Sequence, residues 1–330
     1  MKELVKKIVP NIWVIKYREF REHGRVKNEF REDAVQYNNS TNFHLVGSSD
    51  KGVKELLIFH THALEKGLSH PHFRPNFGKR ALSGLKANLD EFERLNLDKN
   101  DFSYQNAISV LKFYKNKHKN AGIDTPFFDS LFNLDEISFG KQMAGAEKHV
   151  NKEANGMSFE EFEYYRTTQR EFSHKGVDSS VFDEAVKLAL KTPSVCNRQP
   201  WKVYTTSNKN KIAELLRLQK GFNGYELPPT LSLVTVDRRS FIGSYERNEA
   251  YIDGGLFLMN FDFSLTYFGL ASCILNSMLP NEEQRKVKKI LGISPSEVLI
   301  AFVAAGYPKD EVLAAKSARK PTNEVLKLVD

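Results

Sequence analysis

The chain has 330 residues, of which 41% are hydrophobic and 27% charged, so it is long enough for one large domain or two ordinary ones. No apolar run approaches the roughly 18 residues of a membrane-spanning helix, and Cys196 and Cys273 alone cannot form a disulfide framework or a structural zinc site. The formal charge of +7 is a mild basic bias, typical of a solvated surface rather than of a nucleic-acid-binding protein.

The first half of the chain is predicted to be mainly helical. Apolar residues recur three or four positions apart in 52–68 and in 79–97, which is the period of an amphipathic helix. No segment before residue 150 shows a convincing strand pattern. Near the N-terminus, Pro10 and neighbouring charges interrupt the apolar core that a signal peptide needs, so we expect a cytoplasmic protein.

The second half alternates helices and strands. Segment 178–191 has Asp178 in the N-cap position and apolar residues on one face, which predicts a helix that faces the core. Short apolar or β-branched segments are predicted as strands at 202–207, 230–237 and 297–308. We therefore predict the α+β (mixed α/β) class, with a mainly helical extension at 1–155 and a second domain at 156–330.

One predicted helix, at 251–270, is apolar almost all round. Such a helix is buried on every side, either in a large core or in a subunit interface. Gly269 is a natural residue for its end, because glycine adopts the left-handed conformation that often follows a helix.

The segment TPSVCNRQPW, at 192–201, is predicted to be a rigid polar connection. Its two prolines exclude a continuous helix and bias the residues before them toward extended geometry. On its own it could be a well-made loop between a helix and a strand, in which Asn197 and Gln199 satisfy backbone groups.

Two further segments are rich in groups that bind anions. In YYRTTQREF, at 164–172, Arg166 and Arg170 would share one face with two threonine hydroxyls if the stretch opened a helix, and this arrangement suits a phosphate. The alternative is an exposed turn with charge pairs such as Glu163 with Arg166. The sequence AAKSARKPTNEV, at 314–325, adds three basic residues and would alone be an ordinary basic tail.

Together these segments resemble the nitroreductase family of FMN-dependent oxidoreductases over about residues 160 to 330. The resemblance rests on RTTQREF, PSVCNRQPW, GLASCILNSM and the late arginine before Pro321. It implies a mixed sheet flanked by helices, built as an intertwined homodimer with two FMN sites at the interface.

The resemblance also implies which residues bind FMN. Those carried over are Arg166, Thr167, Thr168, Arg170, Pro193, Ser194, Val195, Asn197, Leu275, Asn276, Lys316 and Arg319. The first and last segments would hold the phosphate and ribityl chain, with Arg170 beside the pyrimidine end, where a fixed positive charge stabilises reduced flavin. The 193–197 segment would reach the partner subunit's flavin, and 275–277 would present a backbone N–H to flavin N5.

The function implied by the resemblance is oxidoreduction. NADH or NADPH would reduce the flavin, and an electron-poor small molecule would then take the electrons in ping-pong order, with no catalytic side chain required. Dehydrogenation of heterocycles, reductive dehalogenation and flavin breakdown occur in the same family and stay open. A different class of function is a flavin-binding or flavin-free dimeric scaffold without turnover.

The family does not account for the extension at 1–155. Its histidines 60, 62, 70 and 72 form two His-x-His pairs, but helix residues two apart point about 200° apart, which is poor for one metal ion. We expect instead that polar side chains such as His62, Lys66 and Arg74 lie near a substrate entrance. The alternative is an adaptor role in which Trp13, Tyr17 and Phe20 dock on a partner or a membrane surface.

Overall fold

The computed structural model describes residues 11–41, 44, 46–133 and 142–329, with the backbone alone of Asn11, so Pro10 lies outside it. The helices are α1 (Asn11–Ser40), α2 (Asp50–Leu68), α3 (Lys79–Arg94), α4 (Phe102–Asn120), α5 (Pro126–Asp129), α6 (Phe159–Tyr165), α7 (Ser179–Ala189), α8 (Lys209–Gln219), α9 (Glu249–Tyr267), α10 (Asn281–Leu291) and α11 (Thr322–Val325). The strands are β1 (Ala146–Val150), β2 (Trp201–Thr206), β3 (Thr230–Asp237), β4 (Ala271–Asn276), β5 (Glu297–Gly306) and β6 (Glu311–Ala315).

These elements form two compact units. The sheet unit contains residues 11–41 and 153–308, and the helical unit contains the described residues of 42–152 together with 309–329. The chain passes from the helical unit to the sheet unit between residues 152 and 153, and each unit also contains a segment from the far end of the chain. The predicted division into domains near residue 155 stays a prediction.

The sheet unit is built on four antiparallel strands in the order β2-β3-β5-β4. The three predicted strands are confirmed and correspond to β2, β3 and β5, whereas β4 was not predicted. Between the pairs Val234–Ala301 and Thr235–Leu299 the register shifts by one residue, so Ile300 forms a bulge in β5. Bulges of this kind often lie beside functional sites because they redirect the neighbouring chain.

Helices cover both faces of this sheet. Apolar residues of α7 and α9, such as Ala185, Phe257 and Phe261, pack with one set of strand residues. Residues of α8 and α10, such as Ile212 and Val287, pack with the other set. Each large side chain that is fully removed from water contributes about 1.5–3 kcal/mol. The predicted α+β class, with a helical region before the sheet, is confirmed.

Helix α9 differs from its prediction in one respect. Phe257, Phe261 and Leu265 are buried against the sheet, but Tyr251, Ile252 and Leu256 on another side are 48–53% exposed in the single chain. The helix is therefore not buried on every side within one copy. It ends as predicted, because Gly269 takes a left-handed φ of 80° two residues after Tyr267.

The helical unit consists of α2, α3 and α4 packed around one apolar core, with a two-stranded sheet of β1 and β6. The prediction that no strand occurs before residue 150 was wrong, because Ala146–Val150 is a strand. Only Ala146 is buried in β1, so the strand lacks a regular apolar alternation. Its partner β6 comes about 160 residues later, where a local sequence pattern cannot reveal it.

Helix α1 packs on the sheet unit through ion pairs. The guanidinium of Arg247 binds Asp33 in a bidentate manner, at 2.6 and 2.8 Å, and lies 3.2 Å from a Glu29 carboxylate oxygen. Trp13, Tyr17 and Phe20 are 61–75% exposed on α1. Their predicted docking role stays a prediction.

Candidate functional site

The segment at 164–172 ends a helix and does not open one. A capping box of Ser158 and Glu161 starts α6, and Arg166 is its C-cap residue with an extended ψ of 122°. Beyond it the backbone N–H of Gln169 donates to the Ser272 carbonyl at 2.9 Å, so the chain runs beside β4. Arg166 and Arg170 therefore do not share a helical face.

Both arginines nevertheless keep donors for an anion. The residues are half-buried, and the Nε atoms of Arg166 and Arg170 are buried without a hydrogen-bond partner among the described residues. Thr167 and Thr168, also half-buried, lie between them. Since an unpaired buried donor costs about 1–3 kcal/mol, this set of donors fits a bound phosphate or another anionic group of FMN.

A buried carboxylate lies next to Arg166. Asp262 of α9 is 1% exposed, accepts the Ser272 hydroxyl at 2.5 Å, and has its Oδ2 atom 3.6 Å from Nη1 of Arg166. Burial raises the pKa of Asp262, whereas the Ser272 hydrogen bond and the charge of Arg166 act in the opposite direction. The ion pair at 3.6 Å is too long to be a hydrogen bond, so it leaves the guanidinium donors available.

The polar connection at 192–201 forms a tight turn with unusual backbone geometry. Val195–Asn197 is a single 3₁₀ turn, and Cys196, Asn197 and Gln199 all have positive φ angles of 49–55°. Left-handed geometry costs a residue other than glycine about 1–2 kcal/mol, and asparagine tolerates it best. Strain that the surrounding structure holds in place is concentrated at binding sites. The predicted ligands Pro193 and Asn197 are exposed here, while Ser194 and Val195 are half-buried.

Several contacts hold this turn. The Val195 N–H donates to the carboxylate of Asp253 in α9, at 3.2 and 3.3 Å from its two oxygens. The indole N–H of Trp201 donates to the Asp253 carbonyl at 2.8 Å. Arg198 forms a bidentate ion pair with Glu246, at 2.6 and 2.9 Å. Burial raises the pKa of Asp253, while the Val195 N–H and the charge of Arg198 lower it.

The end of β4 presents the third predicted segment. Leu275 is buried and Asn276 is exposed, and the Asn276 carbonyl accepts the side-chain amide of Gln219 at 3.2 Å. The Ser277 hydroxyl donates toward the carbonyls of Leu299 and Ile300, at 2.9 and 2.8 Å. The β5 bulge at Ile300 thus fixes the position at which the chain leaves β4.

The fourth predicted segment belongs to the helical unit. The Lys316 N–H donates to the Gly145 carbonyl at 3.0 Å, and Arg319 bonds the Ser317 carbonyl with its guanidinium. Arg319 also lines an open cleft of about 610 Å³, together with Lys54 and Asp101. The structure therefore brings three of the four segments into the sheet unit, and the proposed FMN role of Lys316 and Arg319 stays a prediction.

Two acidic residues that contact these segments, Asp253 and Asp262, were not predicted from the sequence. Both are acids inside the mostly apolar stretch YIDGGLFLMNFDFSL. A buried carboxylate is expensive unless it is paired, so two acids within an apolar helix were the available signal.

The histidine-rich segment shows no metal site. Within the described residues, no group of three or more His, Cys, Asp or Glu side chains could hold a metal ion. His62 instead lies 3.3 Å from a Glu65 oxygen, and the ring of His70 accepts the His72 N–H at 3.1 Å. Among the same residues, none of the helices has the length and apolar character needed to cross a membrane.

The sheet unit matches a known protein family. The family model described as Nitroreductase matches residues 164–234 and 227–307. A provisionally named NADH dehydrogenase/NAD(P)H nitroreductase of Archaeoglobus fulgidus is 26% identical over 150 residues, which cover 45% of this chain and 84% of the relative. An iodotyrosine deiodinase of Hydra vulgaris is 20% identical over 187 residues, which cover 49% of this chain and 69% of the relative.

Solved structures of the same kind align with about half of the chain. A nitroreductase family protein of Streptococcus pneumoniae aligns with a TM-score of 0.43 and 22% identity, covering 52% of this chain and 100% of that protein. A BluB-like flavoprotein of Clostridium difficile aligns with a TM-score of 0.45 and 19% identity, covering 53% and 100%. The family match thus covers residues 164–307, and this part of the chain is similar to the nitroreductase family.

Proposed function

We propose that the protein is an FMN-dependent oxidoreductase that uses NADH or NADPH as donor and an electron-poor small molecule as acceptor, in ping-pong order. The observation that carries this proposal is the pair of buried, unpaired Nε donors of Arg166 and Arg170 within the family-matched region. In a protein with only a structural role, these buried donors would lower the stability of the fold, and no ligand contact would compensate for the loss. The NAD(P)H nitroreductase name of the Archaeoglobus relative supports the choice of donor.

The chain's own residues have distinct tasks in this proposal. Arg166, Thr167 and Thr168 bind the phosphate end of FMN, and Arg170 keeps a positive charge beside the pyrimidine end. The turn at 193–197 holds the ring from one side, and the backbone after Leu275 and Asn276 approaches N5. We also assign Lys316 and Arg319 to the phosphate, as the family resemblance implies.

FMN bound there would supply a two-electron carrier between the nicotinamide donor and the acceptor. No side-chain acid or base is needed, because water can supply protons. The contribution of the protein is to fix the geometry of the site and to place charge where negative charge develops.

We further propose that the protein is a homodimer with α9 in its interface. Tyr251, Ile252, Leu256 and Met259 are 40–53% exposed on α9 in the single chain, and they form an apolar surface that a second copy could cover. Sedimentation velocity of the purified protein tests this directly. A monomer at micromolar concentration would contradict it.

The decisive experiment on function is the visible absorption spectrum of the purified protein, followed by anaerobic addition of NADH and, separately, NADPH. We expect the bands of oxidised flavin, and we expect them to bleach with at least one of the two nucleotides. Release of the flavin and its identification as FMN by chromatography completes the test. A colourless protein that does not take up added FMN would reject the proposal in favour of a flavin-free scaffold.

A further inference from the structure

Helix α9 carries two buried carboxylates that its packing does not require. Asp253 and Asp262 are each only 1% exposed, in a helix whose other core residues are apolar or small. They lie nine residues apart, which is about 13.5 Å along the axis and about half a turn around it. They therefore point to different segments of the chain, and each segment is one of those assigned to FMN.

Asp262 acts on the first of these segments. Its Oδ1 is fixed by the Ser272 hydroxyl at 2.5 Å, and its Oδ2 lies 3.6 Å from Nη1 of Arg166 without a hydrogen bond of its own. A carboxylate at this distance attracts the guanidinium and directs it, but does not occupy its donors. Arg166 is thus held in place with its Nε still unpaired.

Asp253 acts on the second segment. Both of its oxygens face the Val195 N–H, and its backbone carbonyl receives the Trp201 indole N–H. The turn between Val195 and Trp201 contains the three left-handed residues, whose geometry persists only if the surroundings hold it. Asp253 supplies part of that support at the point where the turn begins.

The depth of α9 against the sheet is also fixed. A Cβ atom on Gly254 would lie 2.5 Å from Cδ1 of Ile300, the bulged residue of β5, so a larger residue here would force the Ile300 side chain to shift. The close contact between helix and sheet at Gly254 also sets how far the adjacent Asp253 lies from the sheet. The same bulge positions Ser277 at the end of β4.

We propose that Asp253 and Asp262 are positioning residues of the flavin site, with Asp262 orienting Arg166 and Asp253 holding the 193–199 turn. This inference rests on the proposed FMN-dependent function and adds to it the element that joins two of the binding segments. The helix assigned to the dimer interface would thus also organise both segments.

The test measures FMN dissociation constants by quenching of flavin fluorescence in Asp262→Asn, Asp253→Asn, Arg166→Ala and the two double variants with Arg166→Ala. Asparagine keeps the size and one acceptor oxygen of aspartate, so the folds should persist, and thermal unfolding of the apoproteins checks this. Glu249→Gln, in the first turn of the same helix, is the matched control and should bind FMN like the wild type. We expect Asp262→Asn and Asp253→Asn each to weaken FMN binding about 10-fold.

The double variants separate positioning from a general loss of structure. Because Asp262 acts through Arg166, Asp262→Asn should add less than about 2-fold to the defect of Arg166→Ala, whereas Asp253→Asn should add its full effect. Asp253→Asn should also change the visible circular dichroism of bound FMN, since it alters the turn beside the ring.

Three results would overturn the inference while leaving the function intact. These are unchanged FMN affinity in the asparagine variants, tighter binding in Asp262→Asn, which would make Asp262 a competing counter-charge, or full additivity of Asp262→Asn with Arg166→Ala. A wild-type protein that fails to bind FMN would instead reject the proposed function and the positioning roles with it.

Discussion

Two buried polar sites, one in each unit, differ in whether their side-chain nitrogen atoms form hydrogen bonds. In the helical unit the ring of His118 has a partner on each nitrogen, with Nδ1 2.8 Å from the Tyr114 carbonyl and Nε2 accepting the Asn76 N–H at 3.0 Å. In the sheet unit the Nε donors of Arg166 and Arg170 are buried without hydrogen-bond partners among the described residues. Burial alone therefore does not distinguish a structural group from a binding group.

What separates the two cases is whether the hydrogen-bonding capacity is used. A buried polar group with all its bonds made stabilises one conformation, whereas a buried donor without a partner lowers stability until a ligand accepts from it. Substitutions at these two sites, His118 and the arginine pair, should consequently change stability in opposite directions.

The largest effect is expected for His118→Leu. Because the backbone N–H of Asn76 must donate to Nε2, the ring carries its proton on Nδ1 and donates it to Tyr114. Leucine leaves the Asn76 N–H without its acceptor and removes the second hydrogen bond to the Tyr114 carbonyl, so we expect the free energy of unfolding to fall by about 2–4 kcal/mol. Urea denaturation followed by circular dichroism measures it.

His118→Gln is the control for that prediction, because glutamine keeps a donor and an acceptor. It should lose less stability than His118→Leu. Equal losses in the two variants would mean that ring packing, and not the hydrogen bonds, carries the contribution of His118.

For Arg170→Met we expect the free energy of unfolding to change in the opposite direction. Methionine replaces the guanidinium stem without a buried donor, so the apoprotein should keep its stability or gain up to about 1 kcal/mol. FMN binding should weaken about 10- to 100-fold, as expected for loss of one charge-assisted contact. Thermal unfolding of the apoprotein and FMN titration give the two numbers.

Arg285→Met, at an exposed position of α10, is the matched control and should alter neither quantity. If Arg170→Met destabilised the apoprotein by more than about 1 kcal/mol, Arg170 would be a structural residue like His118. The contrast between the two sites would then not hold.

The sequence predicted those parts of the fold that depend on local pattern. The helices at 52–68 and 178–191 and the strand at 230–237 follow from apolar spacing and, for 178–191, from the Asp178 cap. The pairing of β1 with β6 escaped prediction because it joins segments about 160 residues apart. Local spacing carries no information on such a contact.

The site was predictable to a similar degree. Residue types in the 192–201 segment predicted a rigid connection, and its left-handed residues agree with that expectation. The helical face that Arg166 and Arg170 would share if 164–172 opened a helix does not form, because the chain after Tyr165 bonds to the edge of the sheet through Gln169. The contacts of Asp253 and Asp262 depend on how α9 packs, which single-sequence reasoning does not provide.

A smaller effect concerns pH. Burial lowers the pKa of His118, and Lys115 and Lys117 add to the effect. The unfolded chain therefore binds the proton more readily than the folded chain, so stability is complete above the unfolded value near 6.5 and falls as the pH drops below it. The slope from this one group is at most about 1.4 kcal/mol per pH unit.

The free energies of unfolding of the wild type and of His118→Gln, measured between pH 7 and pH 5, give that contribution. The variant should lose less stability than the wild type over this interval. If the free energy of unfolding fell equally with pH in both proteins, His118 would have the same pKa in the folded and unfolded states. Its hydrogen-bonded ring would then contribute nothing to the pH dependence of stability.

The smallest effect is expected where polar groups pair at the surface. Arg247 binds Asp33 and Glu29 of α1, and these ion pairs are the polar contacts that hold α1 on the sheet unit at this point. Such pairs are partly solvated and contribute little to global stability.

Arg247→Met should leave the global unfolding transition almost unchanged, yet amide exchange in α1 should become several-fold faster because local opening no longer breaks a bidentate contact. Arg25→Met, which removes a pair with Glu22 within α1 itself, should not produce this acceleration. Unchanged exchange in Arg247→Met would mean that other contacts of α1 suffice to hold it, and that these ion pairs, unlike the hydrogen bonds of His118, have no structural role.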